Sequence, residues 1–354
     1  MDWSRDLIEE HLLLRPSDQK VANVLNDIKQ KYLEEKGESV PLNEIEVSAY
    51  TQFYMPTNAR KFNFLWNQLP DQVKNEIKEI PFVDFGCGPG TYTWPAIELG
   101  IKGPFYGIDS NKDMVKQARK LSEGLFPDAD VSFSHSEKGI DLDAPKTLLF
   151  GNAVNEMGVA LTLKWIEKLN PRFLIFIEPG TSKVFKEILK MREELKERKY
   201  QVHYPCASLE LECPVKNRRI GTGDNERDDW CHQVLREVPH PSIERLGQMA
   251  KMDRKVQPYI AHVYELDGVN KRAQKTARFV RFLNESKHSF SWEVCLFEND
   301  QQEIVEFEII KKSMDKKTVK EFKKLSIGHE VSYDLIKDVA ANKKRVSVKL
   351  LNGN

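Results

Sequence analysis

This sequence has few cysteines, no net charge and no long apolar runs. Its five cysteines in 354 residues are an odd number, which does not fit the disulfide framework of a secreted protein. No apolar stretch approaches the ~18 residues that a membrane-spanning helix needs. The opening segment, "MDWSRDLIEEHLLL", carries acids where a signal or transit peptide would be basic. We therefore expect a cytoplasmic protein in a reducing environment, without membrane contact, and we expect a monomer.

The charges are unevenly distributed although the formal net charge is zero. Residues 1–50 carry six Lys or Arg against eleven Asp or Glu, whereas residues 311–349 carry twelve against five. A basic C-terminal region can face phosphate groups, since neutralising them releases counterions. A solvated lysine-rich surface explains the same composition.

The chain is long enough for two or three domains. Apolar residues at helical spacing predict an N-terminal helical region over residues 1–78, in which an aromatic-rich segment precedes a short final helix. Strands such as "PFVDFG", "GPFYGID" and "RFLIFIEPG" then alternate with helices over residues 79–265, which predicts a parallel sheet. Within that range, residues 200–235 are irregular and cysteine-rich. Residues 266–354 alternate as strands and predict a small, basic, β-rich C-terminal domain.

A glycine-rich turn, "VDFGCGPGTYTW", follows the first predicted strand and precedes a helix. Asp84 is followed by Gly86, Gly88 and Gly90, and Thr91 stands where a dinucleotide site would need glycine. The spacing suits S-adenosylmethionine, and Asp109 after the second strand fits the carboxylate that accepts the ribose hydroxyls. A purely structural loop is the alternative for the turn alone. The glycine turn and Asp109 together predict a Rossmann-like, class I S-adenosylmethionine-dependent methyltransferase fold. The helical region before it and the strands after it predict a helical cap and a β-rich C-terminal domain.

The catalytic residues are not evident from the sequence. The fourth strand is followed by "GNAVNEM", with Asn152, Asn155 and Glu156, rather than by the Asn-Pro-Pro-aromatic pattern that holds an exocyclic amine. Pro205-Cys206 resembles the nucleophile of 5-methylcytosine enzymes, but it follows the fifth strand instead of the fourth. We therefore assign no catalytic residue.

Three of the five cysteines, Cys206, Cys213 and Cys231, lie close together in the irregular segment, and Cys295 lies on a later strand. The spacing is not the C-x2-C of a standard zinc site. Four thiolates could hold an iron–sulfur cluster or an all-thiolate zinc, with His203 and His232 as spare ligands. Each cysteine is equally compatible with an ordinary buried residue. Cys87, inside the glycine turn, is predicted to be a small filler.

Several motifs occur in one order that resembles a known family. They are "AYTQFYMPTNARKF", "VDFGCGPGTYTWPA", "GNAVNEM", "IEPGT", "PCASLELECP" and "DDWCH", followed by the strand that contains Cys295. The chain is similar to the methyltransferase-like assembly factors of the small ribosomal subunit, which occur in bacteria and mitochondria. The resemblance covers about residues 48–330.

The resemblance implies a [4Fe-4S] cluster on Cys206, Cys213, Cys231 and Cys295, with zinc as the alternative. It implies a protein that binds S-adenosylmethionine and acts on the rRNA of the small ribosomal subunit during assembly. Methyl transfer and a purely non-catalytic assembly role both remain open, as does a small-molecule methyltransferase with a structural zinc. The chain departs from the family in the C-x6-C spacing, in "WCHQ" for "WCHF" and in an inserted "NRRIGTGDNER".

Overall fold

The computed structural model describes residues 5–34, 42–269, 275–299 and 301–350. The chain forms two compact units, one of Met1–Pro179 with Arg236–Gln257 and the other of Gly180–Leu235 with Pro258–Asn354. The domain boundaries expected after residues 78 and 265 stay predictions. The outermost residues of the predicted terminal regions, 1–4 and 351–354, lie outside the described ranges.

The elements of the first half follow one another in a helical region and then in strand–helix alternation. They are α1 (Arg5–Glu9), α2 (Asp18–Glu34), α3 (Glu44–Asn67), α4 (Asp71–Lys78), β1 (Phe82–Phe85), α5 (Thr93–Glu98), β2 (Phe105–Ile108), α6 (Lys112–Leu125), β3 (Val131–Ser134), β4 (Thr147–Gly151), α7 (Val154–Met157), α8 (Val159–Leu169) and β5 (Phe173–Pro179).

The second half is dominated by strands. Its elements are α9 (Ser182–Glu197), β6 (Tyr200–Tyr204), β7 (Arg219–Ile220), β8 (Arg227–Asp228), β9 (Gln233–Arg236), α10 (Pro241–Met249), β10 (Val256–Leu266), β11 (Thr276–Glu285), β12 (Ser289–Glu298), β13 (Gln301–Ile310), α11 (Lys316–Phe322), β14 (Glu330–Ala340) and β15 (Lys343–Leu350).

The first unit contains a parallel sheet in the order β3-β2-β1-β4-β5. β1 and β4 are buried along their whole length, as expected for strands of a parallel sheet whose two faces are both covered. The chain winds outward from β1 in one direction and from β4 in the other, so the topological switch point lies between these strands. This order and the helical crossovers confirm the predicted class I methyltransferase fold.

Helix α3 is longer than the sequence pattern predicts, because it runs without a break through the aromatic-rich segment and through Pro56. A capping box begins it: Asn43 Oδ1 accepts from Glu46 N at 3.1 Å, and Glu46 Oε2 accepts from Asn43 N at 3.0 Å. Its buried residues pack against α2 and α10 in a core that includes Val21, Leu25, Phe53 and Leu246. Cap and burial together outweigh the cost of about 3 kcal/mol that proline carries inside a helix.

The second unit contains a closed five-stranded barrel in the order β11-β12-β13-β15-β14. β13 and β15 are parallel, the other neighbours are antiparallel, and α11 connects β13 to β14. Its interior is filled with apolar side chains such as Trp292, Leu296 and Phe307. This arrangement corresponds to the OB-fold, and it confirms the predicted β-rich C-terminal region.

β10 pairs antiparallel with β6 and also with β9 in the part of the chain before the barrel. Among the helices of the described residues, none combines the length and apolarity needed to cross a bilayer.

Candidate functional site

The glycine turn lies at the carboxyl end of β1, beside the switch point. Gly86, Gly88 and Gly90 all have positive φ, at 72°, 55° and 86°. Backbone N–H groups of Gly86 and Cys87 donate to Ile108 O at 2.8 and 3.1 Å, which fixes the turn to the end of β2. Glycine is therefore required at the three positions by backbone conformation.

The three glycines differ in the space around them. A Cβ at Gly90 would lie 2.4 Å from the Trp94 ring, and one at Gly86 would lie 3.0 Å from Ala153 Cβ. A Cβ at Gly88 would meet only Thr91 Oγ1 at 3.7 Å and Met114 Sδ at 3.9 Å. Gly86 and Gly90 thus also serve the packing of the protein itself, whereas a side chain at Gly88 would make only ordinary van der Waals contacts.

Asp109 joins the turn to the end of β2. Its Oδ2 accepts from Gly88 N and its Oδ1 from Asn111 N, each at 2.8 Å. Burial raises the pKa of this carboxyl, and these two backbone N–H groups counteract the rise. Each carboxylate oxygen keeps a further lone pair, so the group can still accept from the hydroxyls of a ribose.

Asp84, the acid of the glycine motif, is buried in β1. Thr93 Oγ1 donates to its Oδ2 at 2.8 Å, but Asp84 Oδ1 is buried without a hydrogen-bond partner among the described residues. Burial raises the pKa of this carboxyl to about 7. An unpartnered buried oxygen beside the turn is an acceptor that a ligand or a water molecule can satisfy.

Glu178, at the end of β5, is a site residue that the sequence analysis missed. Its Oε1 accepts from Ala153 N and Val154 N, each at 3.0 Å, and its Oε2 from Asn155 N at 3.2 Å. Burial raises its pKa to about 8 in spite of these bonds. Glu178 therefore fixes the segment after β4 that carries the predicted Asn152, Asn155 and Glu156. An acid that closes the apolar run "FLIFIEP" was the available signal.

The second unit brings together four of the five cysteines. Cys206, Cys213, Cys231 and Cys295 line one cavity, which Arg278 and His232 also border. Burial raises the pKa of the Cys231 thiol well above its usual value, and the other three thiols raise it further. The four thiols thus border the same cavity, and their role as metal ligands stays a prediction. Cys87 is buried in the glycine turn of the other unit.

The thiols do not form a preformed single-ion site. Within the described ranges, no group of three or more His, Cys, Asp or Glu side chains is placed so that it could hold a metal ion. Of the two spare candidates, His203 Nε2 lies 2.8 Å from Glu265 Oε2, whereas His232 lines the cavity.

Two buried arginines, which the sequence analysis missed, hold the cysteine segment. Arg192 donates from Nη1 to Cys206 Sγ at 2.8 Å and from Nη2 to Ser208 O at 3.2 Å. Arg278 donates from Nε to Pro205 O at 2.7 Å. Arg192 makes no ion pair with any residue that the structure describes. Both cations favour negative charge on the neighbouring sulfurs.

The chain matches the family model described as "Mitochondrial small ribosomal subunit Rsm22" over residues 44–329. The chain belongs to this family. The Rsm22 match spans the glycine turn, the cysteine segment and most of the barrel, and it agrees with the resemblance to small-subunit factors. The Rsm22 description names mitochondria, whereas the acidic opening segment favoured the cytoplasm. The cytoplasmic location therefore stays a prediction.

Individual similar proteins are more distant. A trans-aconitate 2-methyltransferase from Sinorhizobium medicae is 31% identical over 109 residues, which are 30% of this chain and 37% of that protein. The chain thus spans little more than a third of the length of this curated relative.

The similar solved structures are also only distantly related in sequence. The magnesium protoporphyrin IX methyltransferase of Synechocystis is 12% identical, with a TM-score of 0.36 and coverage of 70% of this chain and 98% of that one. A SAM-dependent methyltransferase from Aquifex aeolicus is 18% identical, with a TM-score of 0.30 and coverage of 41% and 89%. Because these values are low, the fold assignment rests on the strand order and connections described above.

Proposed function

We propose that this protein binds S-adenosylmethionine at the glycine turn and acts on the small ribosomal subunit, in contact with its rRNA, during assembly. The observation that carries the proposal is the hydrogen bond that joins the glycine turn to Asp109 at the ends of β1 and β2, which leaves the Asp109 carboxylate with acceptor capacity. Membership of the Rsm22 family supports the ribosomal part.

Calorimetry with S-adenosylhomocysteine tests the binding part. Asp109→Ala removes the ribose acceptor and is expected to abolish binding, whereas Asp128→Ala, at an exposed position, is the matched control. A wild-type protein that does not bind S-adenosylhomocysteine contradicts the proposal.

Methyl transfer to rRNA is the catalytic form of this function, and a non-catalytic assembly factor is the second candidate. The second candidate is favoured by Glu178, because this buried carboxylate accepts from three backbone N–H groups of "GNAVNEM" and thus has a structural role. Labelled donor incubated with immature small subunits separates the two. Label in rRNA supports the enzyme; subunit binding without label supports the assembly factor. Label in a small molecule alone supports neither.

A [4Fe-4S] cluster on the four cysteines belongs to the same proposal. The residues fit such a group, because four thiols share one cavity and the buried Arg192 has no carboxylate partner among the described residues. Zinc, with four sulfurs about 2.3 Å from one ion, is the alternative occupant of the same thiols. A cubane accepts a wider arrangement of thiolates. When bound, the cluster would fix the irregular segment and supply a redox-active centre.

Iron and sulfide analysis of anaerobically purified protein tests the cluster. We expect about four irons per chain in the wild type, from the composition of a [4Fe-4S] group, and a loss in Cys231→Ser. Cys87→Ser is the control, because Cys87 lies in the other unit. A wild type that contains zinc or no metal contradicts the cluster.

Contact with rRNA is assigned to α11 and the turn before it. In OB-folds the second and third strands usually bind oligonucleotides. Here β12 and β13 carry Glu293, Glu306 and Glu308, each paired with a cation. Exposed lysines that make no ion pair with any described residue lie instead on and beside α11, at Lys312, Lys316, Lys320 and Lys324. These lysines can neutralise phosphates.

A further inference from the structure

Four charged side chains of the second unit, Arg218, Asp229, Arg281 and Glu293, form a closed ring of ion pairs, called the charge ring below. Arg281 bridges the two acids, from Nη2 to Asp229 Oδ1 at 2.5 Å and from Nη1 to Glu293 Oε2 at 3.0 Å. Arg218 bridges the same acids, with Nη1 3.5 Å from Asp229 Oδ2 and with Nη2 in contact with Glu293 Oε1. Each arginine thus contacts both carboxylates, and positive and negative charges alternate around the ring.

The charge ring joins the barrel to the irregular segment of residues 200–235. Arg281 and Glu293 are cross-strand neighbours on β11 and β12. Arg218 and Asp229 face each other at the base of the hairpin formed by β7 and β8, where Asp229 N donates to Arg218 O at 2.8 Å. Arg218 belongs to "NRRIGTGDNER", the insertion by which the chain departs from the family pattern. The insertion therefore supplies one of the two cations of the ring.

Both acids of the charge ring stand two residues before a cysteine of the cavity, Asp229 before Cys231 and Glu293 before Cys295. Side chains two residues apart on a strand point to the same face. Glu293 and Cys295 share the outer face of β12 in this way, since both are half-buried while Val294 between them is buried. The ring thus ties the two parts of the chain together at the position next to Cys231 in one and next to Cys295 in the other.

Stability alone does not account for this arrangement. The Asp229 side chain is 4% exposed and the Glu293 side chain 16%. Removing such charges from water costs about as much free energy as their pairing returns, so apolar side chains of similar volume are often equally stabilising. Paired guanidinium and carboxylate groups do fix direction and register, because the planar guanidinium donates along set directions.

We propose that the charge ring positions Cys231 against Cys295, so that both thiols face the shared cavity. Its role in metal binding rests on the proposed cluster, whereas its hold on the hairpin does not. No member of the ring lines the cavity. The four side chains are therefore positioning residues that act through the backbone of the two cysteines.

Exchange of the two barrel charges, Arg281→Glu with Glu293→Arg, tests the tie between the two parts of the chain. This swap variant keeps opposite charges on the neighbouring positions of β11 and β12. It places like charges against Arg218 and Asp229 of the hairpin. The barrel keeps its own ion pair, and the contact with the irregular segment becomes repulsive.

Two measurements on the full-length protein separate positioning from stability. Hydrogen exchange at the amides of residues 228–233 is expected to be roughly 10- to 100-fold faster in the swap variant, as for a lost coupling within a salt-bridge network. The same acceleration is expected in a Cys231→Ser background, where one ligand of the cluster is missing. Iron release to a chelator is expected to be faster by roughly 10- to 100-fold, the usual effect of losing a group that orients a metal ligand.

Further variants provide the rescue and the control. Addition of Arg218→Glu and Asp229→Arg to the swap variant restores alternating charges and should return both rates toward those of the wild type. Glu293→Gln, which keeps the shape of the side chain, should shift both rates in the same direction as the swap and serves where the swap variant does not fold. The matched control is Glu308→Arg with Arg345→Glu, a swap of another cross-strand pair of the barrel, with contacts of 3.0 and 3.1 Å. It should leave both rates unchanged.

The outcomes separate this inference from the proposed cluster. A wild type without iron refutes the cluster, and hydrogen exchange then decides on the charge ring by itself. Equal exchange rates at residues 228–233 in the wild type and the swap variant refute the positioning role, even where iron is bound. Faster exchange with unchanged iron release refutes the positioning of the thiols and leaves the ring only its hold on the hairpin. Absence of rescue in a fourfold variant that melts like the wild type refutes charge pairing as the cause.

Discussion

Asp84→Asn is expected to change how the stability of the protein depends on pH. In the wild type the Asp84 carboxyl is buried, and burial raises its pKa to about 7 from 3.8. Asparagine has nearly the same shape and can still accept from Thr93 Oγ1, the donor to Asp84 Oδ2. The variant therefore removes a titrating group while it preserves the hydrogen bond.

The sign follows from proton binding in the two states. Between the unfolded and folded pKa values, the native state binds more protons at Asp84 than the unfolded chain does. Folding stability from this group is therefore full at low pH and is lost as pH rises toward about 7. One pKa unit corresponds to about 1.4 kcal/mol. Between pH 5 and pH 8 we expect the wild type to lose about 3 kcal/mol relative to Asp84→Asn, as an order of magnitude.

Urea unfolding of both proteins at half-unit pH intervals measures the difference. Glu178 is buried, has a pKa of about 8 and contributes a slope of the same sign, but it is present in both proteins and cancels. Asp128→Asn, at an exposed position, serves as control and should run parallel to the wild type. If the stability difference between wild type and Asp84→Asn is independent of pH, Asp84 is charged in the native state and the reasoning is wrong.

Three further predictions follow from the contacts of the glycine turn, the cysteine cavity and α11. Gly90→Ala should lower the melting temperature strongly, because its Cβ would lie 2.4 Å from the Trp94 ring. Gly88→Ala should reduce the free energy of unfolding by about 1–2 kcal/mol through its backbone conformation and should mainly weaken donor binding. Equal melting temperatures of the two variants would contradict this difference. Arg192→Met should reduce the iron content per chain in elemental analysis, because Arg192 lies against Cys206. Chelator-treated Arg192→Met should be at least as stable in urea as the chelator-treated wild type, because the variant lacks an unpaired buried cation. An unchanged iron content would contradict a role of Arg192 in holding an anionic cluster. Replacement of Lys312, Lys316, Lys320 and Lys324 by Gln should flatten the salt dependence of rRNA affinity by up to about 0.7–0.9 in logarithmic slope per lost phosphate contact. Four exposed lysines elsewhere, Lys20, Lys29, Lys190 and Lys251, give the control. An equal slope in the fourfold variant and the wild type would place the rRNA contact elsewhere.

The parallel sheet and the glycine turn were predictable because their signals are local. A strand, a glycine turn and a helix follow one another within residues 82–98, and Asp109 comes directly after the next strand. Helix α3 was predicted less well. Pro56 and the aromatic residues argue against a helix locally, but the Asn43–Glu46 capping box and a largely buried surface decide in its favour. Burial is a property of the folded chain, so propensity alone does not give it.

For the basic region over residues 311–349, too, the sequence alone does not show which charges are available to a partner. Composition gives its excess of cations, but Lys343 and Arg345 are paired with Glu306 and Glu308 on the neighbouring strand. Lys316 and Lys320 on α11 make no ion pair with any described residue, whereas Lys317 is paired with Glu321 on the same helix. Which cations remain available to phosphate therefore depends on strand pairing.

The sequence by itself determined the class of fold, the glycine turn with Asp109, and four candidate cysteines, because each depends on residue type and short spacing. Tertiary structure decided that these cysteines share a cavity while Cys87 does not, and that Arg192 lies against Cys206. The physical reason is that the cost of a buried charge or hydroxyl depends on what surrounds it in space, and those neighbours come from distant parts of the chain.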